Sequence, residues 1–193
     1  MHAGIAGKRF LCAARRVFIF AKKCRPGIII GEAFMGNVKT NAMRMLDRAG
    51  IPYKTHSYEA GDGPVDGVTA AEKLGIPPEK VYKTLVTQGA DRQYFVFVIP
   101  VERELDLKKA ARAVGEKNVE MVRVKDLNQV TGYIRGGCSP IGMKKAYGTV
   151  VDGSCGALRE MLVSAGKIGQ QIELAPKDLI AAVHAQTADL VRE

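Results

Sequence analysis

Six consecutive apolar residues, Tyr94-Phe95-Val96-Phe97-Val98-Ile99, constrain this chain more than any other stretch. A strand bordering one core alternates in polarity, whereas a run with no polar position must be covered on both faces. It therefore belongs in the middle of a sheet with further layers above and below. Just upstream, Val81-Tyr82-Lys83-Thr84-Leu85-Val86 is a second β-branched and aromatic run, and Gln88-Gly89-Ala90-Asp91 between them reads as a turn. The two runs are predicted to pair as a hairpin. Lys83 is its anomaly. Side chains alternate along a strand, so its ammonium shares a face with Val81 and Leu85, with Tyr82, Thr84 and Val86 on the other. Two readings stand open: an edge lysine that blocks sheet-to-sheet association, or a cation aimed into a cleft for an anionic ligand.

Helices and strands intersperse around this hairpin. Ala42, Met43, Leu46 and Ala49 fall on one face of a helix that starts after Asn37 and is stopped by Gly50 and Pro52. Residues 53–58 alternate as a short strand. Asp66 or Thr69 caps a short helix running to Leu74 and Gly75, and Pro77-Pro78 forces a turn. Asp106 caps a helix with Leu107, Ala110, Ala111 and Val114 as its buried stripe and Gly115 at its end. Residues 119–122 read as a strand and 124–130 as a short helix. Strands follow at 149–151, 161–164 and 171–174, and Pro176 opens a last helix to Ala182. Such an order with hairpin-short connections predicts an α+β domain, a single mixed, largely antiparallel sheet with surrounding helices, over a doubly wound parallel one.

A net charge of +9 over 193 residues suggests a nucleic-acid binder until it is mapped along the chain. Residues 1–34 hold seven bases and one acid, so +6 lies there and only +3 in residues 35–193. A polyanion would thus meet the body through a local basic patch rather than a global field. The basic segment has short apolar clusters without a sustained period. It reads as a start codon placed too far upstream of Met35, an organelle-type presequence or a basic arm, and the first is favoured because clean helix character begins only after Met35. The domain is accordingly expected over residues 35–193, with 1–34 outside the fold. Cys12, Cys24, Cys138 and Cys155 form no C-x-x-C pair and have no ligand-like spacing to His2, His56 or His184. Neither a zinc site nor a disulfide framework is indicated, and the cysteine usage fits a reducing cytosol. No apolar run approaches the ~20 residues of a membrane span, and no membrane partner is expected.

No hydrolase triad is visible: Gly-x-Ser-x-Gly is absent, and the body offers only His56 and His184 as imidazoles. His56, on a strand, is a candidate acid or base; His184 reads as packing or surface. Gly136-Gly137, ahead of Cys138-Ser139-Pro140, lets the backbone approach a ligand and could leave peptide N–H groups for an oxyanion, or is simply a turn that needs positive φ. Ser164-Ala165-Gly166-Lys167-Ile168-Gly169 is a strand-to-strand turn able to cradle a phosphate, though it matches no Walker or dinucleotide fingerprint. Cys138 reads either as a nucleophile without an identifiable base or as a buried structural thiol.

Together these segments resemble the YbaK/EbsC family of free-standing editing proteins, which are similar to the editing domain inserted in bacterial prolyl-tRNA synthetases. The resemblance covers about residues 38–192. It rests on Lys39-Thr40-Asn41-Ala42-Met43-Arg44-Met45-Leu46, Val81-Tyr82-Lys83-Thr84-Leu85, Leu105-Asp106-Leu107-Lys108-Lys109, residues 131–142 with their Gly-Gly-Cys-Ser-Pro-Ile-Gly ending, Ser164 to Gly169 and Ile172-Glu173-Leu174. The resemblance implies hydrolysis of mischarged tRNA, most closely removal of cysteine from the proline tRNA. The substrate's own thiol would cleave the ester, a chemistry also classed as a lyase's. By the same resemblance Lys83 is the essential lysine that holds the terminal adenosine and its phosphate, and the backbone of Gly136 and Gly137 faces the reacting ester. Tyr58, Thr84, Ser164, Gly166, Lys167 and Gln171 form the substrate-binding set. Where some relatives carry an aspartate, this chain has Gln171, which supplies no carboxylate. No cofactor or metal is implied, and the partners implied are the acceptor end of tRNA(Pro) and prolyl-tRNA synthetase, in the cytoplasm. The alternatives are an Ala-tRNA(Pro) deacylase, a non-catalytic tRNA-end-binding or regulatory module of the same fold, and a small-molecule or redox protein that uses Cys138.

Overall fold

The computed structural model describes residues 39–192 apart from residues 62 and 64. The basic segment 1–34, with Cys12 and Cys24, lies outside the described residues, as does the first part of the helix expected after Asn37. Helix α1 is Asn41–Ala49, and its start is set by Thr40, whose Oγ1 accepts from the Met43 N–H at 3.3 Å. Ala42, Met43 and Leu46 are buried as expected, but Ala49 is exposed, because the helix leaves the core in its last turn at Gly50. Strand β1 (Lys54–Ser57) follows, then α2 (Gly67–Leu74), capped by Asp66 rather than Thr69. A 3-10 turn at Pro78–Lys80 feeds β2 (Tyr82–Gly89), which pairs antiparallel with β3 (Tyr94–Pro100). The predicted hairpin is present, with Lys83 opposite Ile99. Next come α3 (Leu107–Val114), capped by Asp106, β4 (Val119–Met121) and α4 (Val124–Thr131). The chain finishes through β5 (Gly148–Asp152), β6 (Met161–Ser164), β7 (Gln170–Leu174), α5 (Pro176–Val183) and β8 (Gln186–Ala188).

The α+β class and the largely antiparallel pairing hold, but the strands divide between two sheets. One runs β1-β7-β6, antiparallel throughout; the other runs β4-β2-β3-β5-β8, with parallel pairs at β3/β5 and β5/β8. The backbones of the two sheets meet at an isolated parallel bridge between Val81 and Leu162. The reason is burial. Val163, Ile172 and Leu174 of the small sheet pack with Tyr82, Val86, Val96 and Val98 of the large one, so stacking covers inner faces that one continuous sheet would leave exposed. On its other face the large sheet packs Phe97, Ile99 and Val150 against Ala110 and Ala111 of α3. β3 is thus covered on both faces, as its uninterrupted apolar run demands. The opposite face of the small sheet is left for α2 and the start of β2, where Ala71, Val81, Val101 and Leu162 cluster.

Candidate active site

Cross-strand register fixes what lies on that remaining face. His56 is opposite Gln171, and Gln171 is opposite Ser164; one step along, Lys54 is opposite Glu173 and Glu173 opposite Leu162. Directly opposed residues project to the same side, so both rows share one face. Beyond β1 the Tyr58 N–H donates to Gly169 O at 2.9 Å, which extends this face to Tyr58. Two glycines set how closely the walls approach. A Cβ at Gly67 would lie 2.2 Å from Val101 Cγ1, so α2 can rest against the end of the hairpin only with glycine there. Gly166 takes φ +92° with a would-be Cβ 2.7 Å from the Tyr133 ring, which seats the 164–169 turn on that side chain. Tyr133 is itself fixed by its hydroxyl, which donates to Ile141 O at 2.7 Å.

Between these walls lies a cavity of about 100 Å³ lined by Tyr58, Val65, Gly67, Ala70, Val81, Tyr82, Lys83, Thr84, Val101, Gly136, Cys138, Ser164 and Gln171. It is small beside the ~300–1,000 Å³ of drug-sized sites and suits a group of amino-acid size. Lys83 is half-buried, and its Nζ donates to Val101 O at 3.0 Å. Burial lowers its pKa from the ordinary lysine value, partly offset by the charge of Glu104. Among the described residues it has no ion pair. Its place on the cavity lining and its hold on a backbone carbonyl favour the cleft reading of Lys83 over that of an edge lysine. Two residues of the cavity lining, Thr84 and Gln171, carry a buried side-chain oxygen, Oγ1 and Oε1, with no hydrogen-bond partner among the described residues. Buried polar groups are nearly always partnered, so two on the lining of one small cavity single it out for a closer reading.

The structure gathers Lys83, Thr84, Tyr58, Gly136, Ser164 and Gln171 from five separate segments into this cavity. It places the others around it. Gly137 packs beneath the turn, where a Cβ would come within 3.1 Å of Ile168 N, and its own N–H donates to Ile134 O at 3.0 Å. The Gly137 amide is therefore already engaged, and with φ +82° at Gly136 this favours the turn reading of the pair over a free oxyanion donor at Gly137. The Gly166 N–H donates to Ser164 Oγ at 3.3 Å, and Lys167 is exposed outside the cavity. His56 stands in the same row as Gln171 but turns its Nε2 to Glu173 Oε2 at 2.5 Å and does not line the cavity. His184, with φ 50°, closes α5 at the surface. Cys138 does line the cavity, but burial pushes its thiol up to about 12, so the neutral thiol persists at physiological pH and no thiolate nucleophile is at hand. Sequence reasoning missed Val65, Gly67, Ala70 and Val101. Only Asp66, as the cap of α2, pointed toward them.

The family described as the aminoacyl-tRNA editing domain matches residues 64–182. An Enterococcus faecalis protein provisionally named the Cys-tRNA(Pro)/Cys-tRNA(Cys) deacylase EbsC is 47% identical over 152 residues, which are 79% of this chain and 93% of that protein. The uncharacterized protein YwhH of Bacillus subtilis is 27% identical over 110 residues, 57% of this chain and 69% of YwhH. A solved structure described as a candidate trans-editing enzyme for prolyl-tRNA synthetase superposes with a TM-score of 0.71 at 25% identity, covering 81% of this chain and 100% of that one. Among the described residues, no helix is long and apolar enough to cross a membrane.

Proposed function

Because the chain belongs to the aminoacyl-tRNA editing domain family, we propose that it is a trans-editing deacylase that removes cysteine from mischarged tRNA(Pro) in the cytosol. The observation that carries this reading is the small cavity that joins a half-buried lysine without an ion pair to unpartnered oxygens, with no histidine or carboxylate among the described residues of its lining and its one thiol held neutral. A cysteinyl ester needs neither a base nor a nucleophile from the protein. Its thiol, of pKa ~8.5 when free, can attack its own carbonyl carbon: the S–C bond forms, the C–O ester bond breaks, and the proton lost by sulfur ends on the leaving ribose oxygen. Water then opens the thioester to give free cysteine.

In this scheme the protein positions and excludes. Holding the sulfur against the carbonyl can supply ~7–11 kcal/mol in favourable intramolecular cases. The cavity takes the aminoacyl group, with Ser164 beside it and Tyr58 as a wall, while the terminal adenosine lies at the mouth, where the Lys83 ammonium meets its phosphate and Thr84 stands alongside. The Gly136 backbone faces the ester. Gly137, Gly166 and Lys167 act through the turn that supports this wall. The modest charge of the body implies weak tRNA affinity, and prolyl-tRNA synthetase is the partner that would present the acceptor end.

The test is deacylation of Cys-tRNA(Pro), Ala-tRNA(Pro) and Pro-tRNA(Pro) under reducing conditions. Cysteine release should be fastest and Lys83→Ala inactive. Brisk alanine release would point to water attack and an alanine-editing enzyme. Retained tRNA binding with no cleavage of any ester would make the chain a binding module.

A further inference from the structure

Gln171 is more than nine-tenths buried, its Oε1 has no partner, and it lies on the cavity wall opposite Ser164 in the β6/β7 register. A carboxamide oxygen is an acceptor only, so whatever completes it must donate. The other groups here have different demands. Lys83 brings donors and already holds the Val101 carbonyl, the Ser164 hydroxyl accepts from Gly166, and Thr84 can turn its hydroxyl either way. Of the groups at an aminoacylated adenosine end, the thiol must lose its proton to attack, and the ribose hydroxyls and base belong outside a cavity of about 100 Å³. The donor that travels in with the amino acid is its α-amine. We propose that Gln171 is a specificity-determining residue whose Oε1 accepts a hydrogen bond from the free α-amino group of the esterified amino acid.

This rests on the deacylase reading for the identity of the ligand and adds a selection to it. A buried acceptor tuned to a donor rejects an otherwise identical ligand that lacks the donor, because the acceptor is then left unpaired in the complex. A neutral amide also suits a cavity that already holds one cation, since its acceptor strength does not depend on a second ionisation. The site would thus select esters with an unblocked amine and exclude N-acylated aminoacyl-tRNA.

The experiment uses two non-hydrolysable probes built on 3′-amino-3′-deoxyadenosine, one amide-linked to cysteine and one to 3-mercaptopropionate, which differ only in the α-amine. Calorimetric titration of the full chain should show the cysteinyl probe binding at least ~10-fold more tightly. Gln171→Met, which keeps the length and removes the oxygen, should bring that ratio close to one, and Gln171→Leu serves if the first variant does not fold. An unchanged ratio in the folded variant overturns the proposal, as does a wild-type ratio near one or binding of neither probe. Turnover of Cys-tRNA(Pro), followed in parallel, separates the two readings. Cysteine release with a ratio untouched by Gln171→Met sinks amine recognition alone. Discrimination between the probes without any release sinks the deacylase reading alone.

Discussion

Two neighbouring rows cross the same face of the small sheet, and they are finished differently. In the row of Lys54, Glu173 and Leu162 every charge has a partner: Lys54 Nζ lies 2.9 Å from Glu160 and 3.7 Å from Glu173, and Glu173 also takes the imidazole of His56. In the row of His56, Gln171 and Ser164, the Gln171 oxygen is buried and unpartnered, Thr84 Oγ1 nearby is the same, and the Lys83 cation meets one backbone carbonyl. One row is paired within the folded chain; the other leaves an acceptor without a donor. Folding alone does not favour the second arrangement, since a buried acceptor without a donor costs about 1–3 kcal/mol. What distinguishes the site from the neighbouring row is the conjunction of that deficit with a lysine that has no ion pair and with a cavity that both line.

The sharpest way to break this comparison is to remove one lysine from each row's surroundings. Lys83→Ala should lower kcat/KM for Cys-tRNA(Pro) at least ~100-fold, the scale of a lost charge-assisted contact of about 3 kcal/mol. Lys54→Ala should change it less than about twofold, because exposed ion pairs contribute little and are screened by salt. Equal losses in the two variants would mean that the completed row also serves the substrate.

Thr84→Val comes next and separates stability from function within one residue. Its hydroxyl oxygen is buried without a partner, so the isosteric methyl should raise the unfolding free energy by about 1 kcal/mol in urea titrations. The same change should weaken turnover ~10-fold if the hydroxyl meets the substrate. A variant that is both less stable and fully active would place the hydroxyl in the fold rather than in the site.

How far the sequence reached follows the same division. Caps and periods are local, so Asp106, Gly115, the apolar run of β3 and the hairpin were readable directly, and Lys83 stood out because one strand position broke its own pattern. The division into two sheets was not readable. It depends on Val163 and Ile172 finding Val96 and Val98 across the core, and the parallel pairs of β5 depend on contacts with no short connection to announce them. The short β8 has only three residues and no apolar run. Within the site, six of the nine residues named from sequence meet in the cavity, because the family resemblance supplied a coincidence of distant segments that spacing could not. Val101 was invisible for the opposite reason: it holds Lys83 through its carbonyl, and a backbone atom leaves no trace in side-chain chemistry.

A pH series tests whether the incomplete row behaves as a desolvated site. The pKa of Lys83 is lowered by burial, so the native state releases that proton at lower pH than the unfolded chain does. In the window below the ordinary lysine value the unfolded state binds more protons, and stability should rise with pH there. Binding of an anionic probe such as adenosine monophosphate should fall over the same window, as the ammonium is lost. Lys83→Arg, charged throughout, should flatten the decline in binding. Parallel declines in stability and binding would contradict the burial of Lys83.

The smallest effect is expected at Cys138, and it is informative because that thiol shares the cavity with Lys83. Both groups are desolvated, and burial favours the neutral form of each, which moves their pKa values in opposite directions: the amine's is lowered, while the thiol's is raised to about 12. At pH 8 an alkylating reagent should therefore leave Cys138 unmodified in the native protein and label it on unfolding. Peptide mapping by mass spectrometry would separate it from Cys155, also free and buried, and from Cys12 and Cys24. Cys138→Ala should retain cysteine release within about twofold, with a loss of about 1 kcal/mol in stability for the deleted sulfur. An inactive but folded Cys138→Ala, beside an active Lys83→Ala, would reverse the assignment. The cavity would then be a thiol site, and its unpartnered oxygens would have to serve a chemistry in which the protein rather than the substrate supplies the sulfur.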